Sequence, residues 1–222
     1  MSAEKDLWFI FDSGAGEPEE NMLIDRALLN NAAQIGRPLL RLYSWEKPAG
    51  TFGFFQKREE IEKITRIRPL VQRPTGGGFV AHINDWTYSV VAPPSHCWYR
   101  LKAVESYKLI HNWLSAAFKL LGIETELAQE AVRPLPGQCF AGYEKYDLLM
   151  NGRKIAGAAQ RRTKTGLLTQ GSVQPVPENI SFSQWKKALI ESGKAFLNAT
   201  FEEFFPENQN FIRRFLTTEK QG

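Results

Sequence analysis

Residues 146–160 have the sequence YDLLMNGRKIAGAAQ, which places a turn signal between two strand-like segments. The dipeptide Asn151-Gly152 favours the tight turn that has positive φ at both positions, because these residue types tolerate that backbone region best. The sequence therefore predicts a β-hairpin with strands over 146–150 and 153–160. Strand alternation further predicts one shared face for four side chains: Lys154, Ala156, Ala158 and Gln160.

A second informative stretch, residues 71–91, carries strand-like side chains on both sides of Thr75-Gly76-Gly77-Gly78. Three glycines inside a strand pattern give no packing and cost conformational entropy, so they indicate that something approaches the backbone closely. Two interpretations stay open. The loop amides can hold a phosphate or a carbonyl oxygen, with Arg73 offsetting negative charge, or the loop is a tight bend between packed strands. No Lys-Ser or Lys-Thr follows, so it is not a nucleotide-binding lysine loop.

The rest of the chain mixes helices and strands without a regular βαβ rhythm, which indicates the α+β class. Apolar positions from 101 to 121 follow helical spacing, and Gly122 supplies a stop signal. The other predicted helices cover residues 19–34, 57–64, 183–192 and the phenylalanine-rich 201–215. The other predicted strands cover residues 7–11, 37–45, 51–55 and 166–173. With 222 residues, we expect a single domain over 1–222.

Composition narrows the function classes. Hydrophobic residues at 43% and charged residues at 23% are near globular averages, which argues against disorder and against a membrane protein. The N-terminus lacks a basic segment followed by an apolar one, so we expect a cytoplasmic protein. A formal charge of +4 suits anionic cofactors, acidic proteins or nucleic acid. No basic stripe with interleaved aromatic residues appears, so we do not expect a nucleic-acid partner, and the longest apolar runs are far short of a bilayer span, so we do not expect a membrane.

The nucleophiles and bases are few. Two cysteines, Cys97 and Cys139, do not make a disulfide framework, and three isolated histidines do not make a metal site. Cys139 follows a turn-rich segment and is either an inert thiol or, near a cation, a nucleophile suited to thioesters. Lys154 is either a solvated turn residue or a positioned ammonium that steadies a developing oxyanion. His82 can be a base, a packing residue or a hydrogen-bonding support for the loop.

Several strings, taken together and in this order, resemble the lipoate-protein ligase and octanoyltransferase family, which is related to the catalytic domain of biotin ligases. The strings are Asn21-Met22 with Asp25, Arg41-Leu42-Tyr43-Ser44-Trp45, Gly53-Phe54-Phe55-Gln56, Arg73-Pro74-Thr75-Gly76-Gly77-Gly78 with His82, Trp86-Thr87-Tyr88-Ser89, Gly152-Arg153-Lys154-Ile155-Ala156-Gly157-Ala158-Ala159-Gln160 and Gln170-Gly171-Ser172. The resemblance implies an α+β domain with a mixed, mostly antiparallel sheet flanked by helices. It also implies that the glycine loop and Lys154 jointly hold an acyl group or an acyl-adenylate.

The resemblance implies a set of site residues. Cys139 and Lys154 are the expected catalytic pair, since Cys139 lies a few residues before Tyr146-Asp147-Leu148, like the cysteine of one octanoyltransferase branch. The expected substrate-binding residues are Arg73, Thr75, Gly76, Gly77, Gly78, His82, Asp147, Gly157, Ala158, Gln160 and Gly171. The expected apolar slot for the acyl tail consists of Trp45, Phe55 and Tyr88. Arg161, Arg162 and Lys164 are expected to steer acidic carrier proteins.

Two reactions fit this resemblance. An octanoyltransferase moves an octanoyl or lipoyl group from an acyl carrier protein, through Cys139, to a lysine of a lipoyl domain or a glycine-cleavage carrier protein, and it needs no cofactor. A lipoate-protein ligase activates the free acid with ATP and magnesium. The cysteine placement and the absence of room for a separate C-terminal domain favour the transferase. A biotin ligase and a non-catalytic carrier-binding module remain as further alternatives.

Overall fold

The strands form two sheets in the computed structural model, which describes residues 5–132 and 142–206. In chain order, the strands are β1 (Asp6–Gly16), β2 (Leu39–Trp45), β3 (Ala49–Phe52), β4 (Leu70–Gln72), β5 (Val80–His82), β6 (Trp86–Ala92), β7 (Glu126–Leu127), β8 (Leu148–Met150), β9 (Arg153–Arg162), β10 (Leu167–Val173) and β11 (Ala199–Glu203).

The helices pack against both sheets. They are α1 (Pro18–Asn30), α2 (Ala32–Ile35), α3 (Arg58–Ile64), α4 (Cys97–Arg100), α5 (Ala103–Leu120) and α6 (Phe182–Phe196). Five of these helices pack on the two faces of the larger sheet, and α3 packs against the smaller sheet through Ile61, Phe52 and Leu70. In the part of the chain that the structure describes, no helix is both long enough and apolar enough to span a membrane.

The larger sheet has eight strands in the order β11-β1-β2-β6-β10-β9-β8-β7. Strand β1 runs parallel to β11 and to β2, whereas all the other pairings in this sheet are antiparallel. The prediction of an α+β fold with a mixed, mostly antiparallel sheet is therefore confirmed. The extent of the single domain over 1–222 stays a prediction.

Consecutive residues of the central strands belong to different hydrophobic clusters, because neighbouring side chains in a strand point to opposite faces. In β6, Val90 packs in a cluster with Trp113 of α5 and Trp185 of α6, whereas Val91 packs in a second cluster with Leu28 of α1. Helices α5 and α6 thus cover one face of the sheet, and α1 covers the other.

The helix ends follow the local sequence signals. Helix α6 begins with a capping box, in which the Ser181 hydroxyl accepts from the Gln184 amide and the Gln184 side chain accepts from the Ser181 amide. Helix α5 ends before Gly122, whose φ of 75° continues the chain in the left-handed region. The predicted helix over 101–121 is confirmed to within two residues at its start and one at its end.

The hairpin of β8 and β9 is confirmed, and its turn residues Asn151 and Gly152 have φ values of 52° and 73°. The predicted alternation along β9 is wrong because the strand contains a bulge. Leu148 pairs with Ala156 and Leu149 pairs with Lys154, so Ile155 is an extra residue. Ala156 is consequently buried in the core, and Lys154 lies on the other side of the strand.

The smaller sheet has the order β4-β3-β5 and carries the glycine triplet between β4 and β5. The two predicted strands over 37–45 and 51–55 are confirmed in type, but β2 belongs to the larger sheet and β3 to the smaller one. The predicted helix over 201–215 is wrong in its described part. Residues 199–203 form β11, which pairs with β1 and places Phe201 beside Trp8.

Candidate functional site

A cavity of about 230 Å³ lies between the larger sheet and the smaller one, which carries the glycine loop. Its wall is mostly apolar, and Arg73, Glu144 and Lys154 contribute charged groups to it. The lining consists of Met22, Tyr43, Trp45, Thr51, Arg73, Gly77, Gly78, Val80, His82, Thr87, Tyr107, Val132, Gly142, Tyr143, Glu144, Lys154, Gly157, Ala158, Ala159, Gln170, Gly171 and Ser172. A slender apolar ligand with one polar end matches this composition.

The glycine loop takes its shape from Arg73, whose buried guanidinium lies inside it. Its Nη2 donates to the carbonyl oxygens of Gly76 at 2.5 Å and Gly78 at 2.7 Å, and its Nε donates to Gly76 at 3.1 Å. A Cβ added at Gly53 would lie 2.0 Å from the Gly77 carbonyl oxygen, so these two backbones meet directly. The tight-bend interpretation of the triplet is therefore confirmed, whereas ligand binding by the loop amides stays a prediction, although Gly77 and Gly78 line the cavity.

Thr75 anchors the loop to the larger sheet from behind the cavity wall. Its hydroxyl donates to Gln170 Oε1 at 2.7 Å, and Gln170 Nε2 donates to Asp25 Oδ2 at 2.7 Å. Asp25 in turn forms a 2.7 Å ion pair with Arg41, and neither side chain is exposed to solvent. Burial, together with the charge of Asp25, raises the pKa of Tyr43 well above its usual value. This buried polar network connects the loop to α1 and to strands β2 and β10.

His82 supports the cavity wall by hydrogen bonding and stacking. Its Nδ1 lies 2.8 Å from Asp85 Oδ2 and its Nε2 lies 2.9 Å from Thr51 Oγ1. The imidazole stacks on Trp45, with ring centroids 4.0 Å apart. Both ring nitrogens are engaged, so the geometry matches the support and packing interpretations of His82 rather than that of a base.

Lys154 forms a buried ion pair at the cavity wall. Its Nζ lies 2.8 Å from Asp147 Oδ2, with side-chain exposures of 8% for Lys154 and 0% for Asp147. The hairpin turn fixes the backbone, and the bulge directs the lysine across Gly157, where a Cβ would lie 2.6 Å from Nζ. Glycine at this position gives the ammonium room, so Lys154 is a buried cavity residue and not a solvated turn residue.

Asp147 receives further hydrogen bonds from two other groups. The amide of Glu144 donates to Oδ2 at 2.7 Å, and the Tyr107 hydroxyl donates to Oδ1. The same hydroxyl accepts from the Ala158 amide at 3.2 Å. Burial, followed by the charge of Asp147, raises the pKa of Tyr107 well above its usual value, so this phenol remains a hydrogen-bond donor.

The structure brings most of the residues expected from the sequence into one place. Those in the cavity wall are Arg73, Gly77, Gly78, His82, Lys154, Gly157, Ala158 and Gly171. Gly76 and Gln160 instead line an adjoining, more open hollow, which shares Gly77, Tyr107, Glu144, Ala158 and Ala159 with the cavity. Thr75 and Asp147 hold wall residues from behind. Cys139 lies outside the described residues.

The expected apolar slot is only partly correct. Trp45 lines the cavity, and Tyr88 lies behind Gly171, where an added Cβ would be 2.2 Å from the phenol oxygen. The prediction that Phe55 lines the slot is wrong, because this side chain is 88% exposed and lies in the turn after β3. The sequence predicted a strand as far as residue 55, whereas β3 ends at Phe52.

Two of the three expected steering cations are already engaged by the protein. Arg161 Nη1 donates to the Pro74 carbonyl oxygen at 3.0 Å, and its guanidinium lies 4.0 Å from the Phe54 ring centroid. Arg162 donates to the Leu101 carbonyl oxygen at 2.7 Å. Lys164 is exposed. Arg161 therefore braces the segment before the glycine triplet.

Within residues 5–132 and 142–206, no group of three or more histidine, cysteine, aspartate or glutamate side chains is arranged to hold a metal ion. The basic and acidic side chains that line the cavity are Arg73, His82, Glu144 and Lys154, and the backbone of the glycine loop lines it as well. Such a set can bind and polarise a carbonyl group.

A family model matches most of the chain. The model of the lipoyl protein ligase A/B catalytic domain matches residues 17–192, which include the glycine loop, the β8–β9 hairpin and β10. The chain belongs to this family. The resemblance expected from the motifs is confirmed.

Curated relatives of this lipoyl ligase family member carry the name octanoyltransferase LipM. The protein from Staphylococcus epidermidis is 35% identical over 182 residues, which cover 76% of this chain and 66% of the relative. The protein from Anoxybacillus flavithermus is 33% identical over 198 residues, which cover 82% of this chain and 71% of the relative. The chain thus spans about two thirds of the length of these relatives, and just under that share for the Staphylococcus epidermidis protein.

Solved structures of lipoate protein ligases share the fold of this family member. Ta0514 from Thermoplasma acidophilum, a putative lipoate protein ligase with bound lipoic acid, aligns with a TM-score of 0.76 at 18% identity over 96% of this chain and 95% of that one. LipL1 of Plasmodium falciparum in complex with lipoate aligns with a TM-score of 0.65 at 17% identity over 96% and 71%. At these identities the likeness establishes the fold.

Sequence reasoning missed three residues that shape the site: Asp25 as the centre of the buried network, Gln170 as its link to the loop, and Tyr107. Arg41, between Leu40 and Leu42 in a buried strand, was the available signal for the network, since a buried arginine requires an acidic partner. Tyr107 gave no signal, because an aromatic residue in an amphipathic helix is ordinarily a packing residue.

Proposed function

We propose that this chain is an octanoyltransferase that moves an octanoyl or lipoyl group from a carrier-protein thioester to a lysine of an acceptor protein. The observation that supports it best is the buried Lys154–Asp147 pair, whose lysine lines a mostly apolar cavity together with Gly77 and Gly78 of the glycine loop. The names of the LipM relatives support the same reaction.

In the first half-reaction, the Cys139 thiolate attacks the carbonyl carbon of the donor thioester. A carbon–sulfur bond forms to Cys139, the bond to the carrier sulfur breaks, and the carrier thiolate leaves and takes up a proton. The Lys154 ammonium stabilises the negative charge on the carbonyl oxygen before the tetrahedral species collapses. The amides of Gly77 and Gly78 as further donors stay a prediction.

In the second half-reaction, the neutral ε-amine of the acceptor lysine attacks the acyl-enzyme thioester. A carbon–nitrogen bond forms, the bond to Cys139 breaks, and the proton lost by the amine returns to the sulfur. No redox agent or nucleotide is needed, because the thioester already activates the acyl group. ATP and magnesium belong only to the ligase alternative.

Cys139 as the nucleophile rests on its sequence context and on the described residues around it. Gly142, three positions after Cys139, lines the cavity, and so do Val132 and Tyr143, whose backbones pair at 2.7 and 2.8 Å. The segment that contains the cysteine therefore begins and ends at residues of the cavity wall. Lys154 at the same wall would lower the pKa of a nearby thiol.

The partners follow from this chemistry. We propose an acyl carrier protein as the donor and a lipoyl domain or a glycine-cleavage carrier protein as the acceptor. The positive charges at the end of the β9–β10 hairpin would favour acidic partners. They are those of the exposed Lys164 and of Arg161 and Arg162, each of which donates one hydrogen bond to a backbone carbonyl oxygen. A cytoplasmic location stays a prediction.

Mass spectrometry of the protein after mixing with octanoyl carrier protein tests the proposal. We expect one octanoyl adduct on Cys139, which disappears in Cys139→Ser and transfers to an acceptor lysine on addition of a lipoyl domain. Cys97→Ser is the matched control, because Cys97 is an exposed free thiol at the start of α4. An adduct that survives Cys139→Ser contradicts the proposed nucleophile.

A parallel assay with free lipoate, ATP and magnesium separates the transferase from the ligase. We expect no acceptor modification in this assay. Full ligation by Cys139→Ser, together with no reaction from octanoyl carrier protein, would assign the chain to the ATP-dependent alternative.

A further inference from the structure

Tyr107 connects α5, β9 and the carboxylate of Asp147 at the cavity wall. It extends from α5, lines both the cavity and the adjoining hollow, and donates its hydroxyl proton to Asp147 Oδ1. Its oxygen accepts from the Ala158 amide of β9 at 3.2 Å. The phenol therefore links α5 to β9 and to the carboxylate that pairs with Lys154.

The carboxylate of Asp147 has no exposure to solvent, so every donor that reaches it is significant. Oδ2 receives the Lys154 ammonium at 2.8 Å and the Glu144 amide at 2.7 Å, whereas the hydroxyl of Tyr107 donates to Oδ1. A buried charged group is tolerated only when its oxygens are hydrogen-bonded. Loss of the Tyr107 hydroxyl would let the carboxylate rotate and carry the lysine with it.

A second side chain of α5 supports the ring of Tyr107. His111 packs against it with ring centroids 4.4 Å apart, and its Nδ1 lies 3.0 Å from the Tyr107 carbonyl oxygen. Burial lowers the pKa of His111 to about 4, so this imidazole is neutral at physiological pH. Lys154 is therefore the cation that pairs with Asp147, and His111 adds no competing charge.

We infer that Tyr107 is a positioning residue for acyl transfer, which holds Asp147 in one orientation and thereby fixes the Lys154 ammonium at the reacting carbonyl. This inference rests on the proposed function and adds a residue that acts through Asp147. Tyr107 itself does not exchange a proton with the substrate.

The substitution Tyr107→Phe keeps the ring and removes the hydroxyl. We expect kcat for octanoyl transfer to fall about tenfold, the order of one hydrogen bond to a charged group. KM for octanoyl carrier protein should stay within about twofold, because the ring still forms the wall. Tyr99→Phe is the matched control, since its hydroxyl donates to the Thr163 carbonyl oxygen at 2.9 Å and the residue lines neither hollow. It should keep wild-type kcat.

A double-mutant cycle with Asp147→Asn separates positioning from a general structural role. If Tyr107 acts through Asp147, Tyr107→Phe should lower kcat less than about twofold in the Asp147→Asn background. Should Asp147→Asn not fold, as judged by circular dichroism, the cycle uses Lys154→Arg. The inference is overturned if Tyr107→Phe has equal effects on kcat in both backgrounds or leaves kcat unchanged. It is also overturned if kcat, KM and thermal stability are all impaired together. An inactive wild-type chain instead contradicts the proposed function.

Discussion

Two buried ion pairs of similar length serve different purposes in this molecule. Asp25 and Arg41 are 2.7 Å apart and fully buried, and neither reaches the cavity. Asp147 and Lys154 are 2.8 Å apart and nearly as buried, yet Lys154 forms part of the cavity wall. Burial and separation alone do not explain this difference.

The choice of cation explains the difference between the two ion pairs. The guanidinium of Arg41 is held on all sides, since its nitrogens donate to Ser13, to Asp25 and to both the backbone and the side chain of Asn21. Such a planar group suits a fixed multidentate site. An ammonium on a flexible stem can pair with a carboxylate and still direct a proton at a ligand. The comparison teaches that the arginine pair anchors the loop, whereas the lysine pair has the cation that we propose acts on the substrate.

The largest expected effect is on stability and comes from Arg41→Met. Removing one partner of a buried pair leaves Asp25 uncompensated, so the free energy of unfolding should fall by about 3–5 kcal/mol. Urea denaturation followed by circular dichroism measures it. Arg37→Met is the matched control, because the Arg37–Glu202 pair also spans 2.7 Å but is exposed, and its loss should cost less than about 1 kcal/mol. Similar losses in both variants would contradict the anchoring role.

The next effect is on activity and comes from Lys154→Met. The apolar replacement fits beside Gly157 but cannot stabilise an oxyanion, so kcat should fall roughly 100-fold to 1000-fold. Steady-state transfer from octanoyl carrier protein measures it, and Lys187→Met, at an exposed position of α6, is the control. A variant with near wild-type kcat would show that Lys154 belongs with the anchoring pair.

The smallest effect is a dependence of stability on pH that arises beside the lysine pair. Burial holds the pKa of His111 near 4, below its usual 6.5, so the unfolded chain binds more protons between these values. The contribution of neutral His111 is fully present above pH 6.5 and is lost toward pH 4, at a slope of up to about 1.4 kcal/mol per pH unit. Urea denaturation at pH 7 and pH 5 should show a smaller loss for His111→Phe than for the wild type. Identical losses would exclude His111 as the source.

The sequence was sufficient for the fold wherever one local signal dominated. Asn151-Gly152 specified the hairpin, and the apolar spacing of 101–121 specified α5. The motifs that carry the family resemblance also contain most of the residues of the cavity wall. The glycine loop and Lys154 are far apart in the sequence, so the family resemblance, and not a local pattern, indicated that they share a site.

The remaining features depend on tertiary contacts. The phenylalanine-rich composition of 201–215 favoured a helix, but residues 199–203 pair with β1 and form a strand. The bulge at Ile155 places the Lys154 side chain on the opposite side of the strand from the one predicted, and no residue type in the sequence indicates this bulge. Tyr107 acquires its position because α5 packs beside β9, and this proximity is absent from any local pattern.

The close approach of Gly53 to Gly77 has a consequence for protein engineering. Any side chain at position 53 would push against the loop carbonyl from outside the cavity, because its Cβ would lie 2.0 Å from that oxygen. Libraries intended to alter the shape of the cavity should therefore keep glycine at this position and vary wall residues such as Met22 and Val80 instead. Conversely, deliberate enlargement of residue 53 would be a remote means of displacing the loop while every wall side chain stays unchanged.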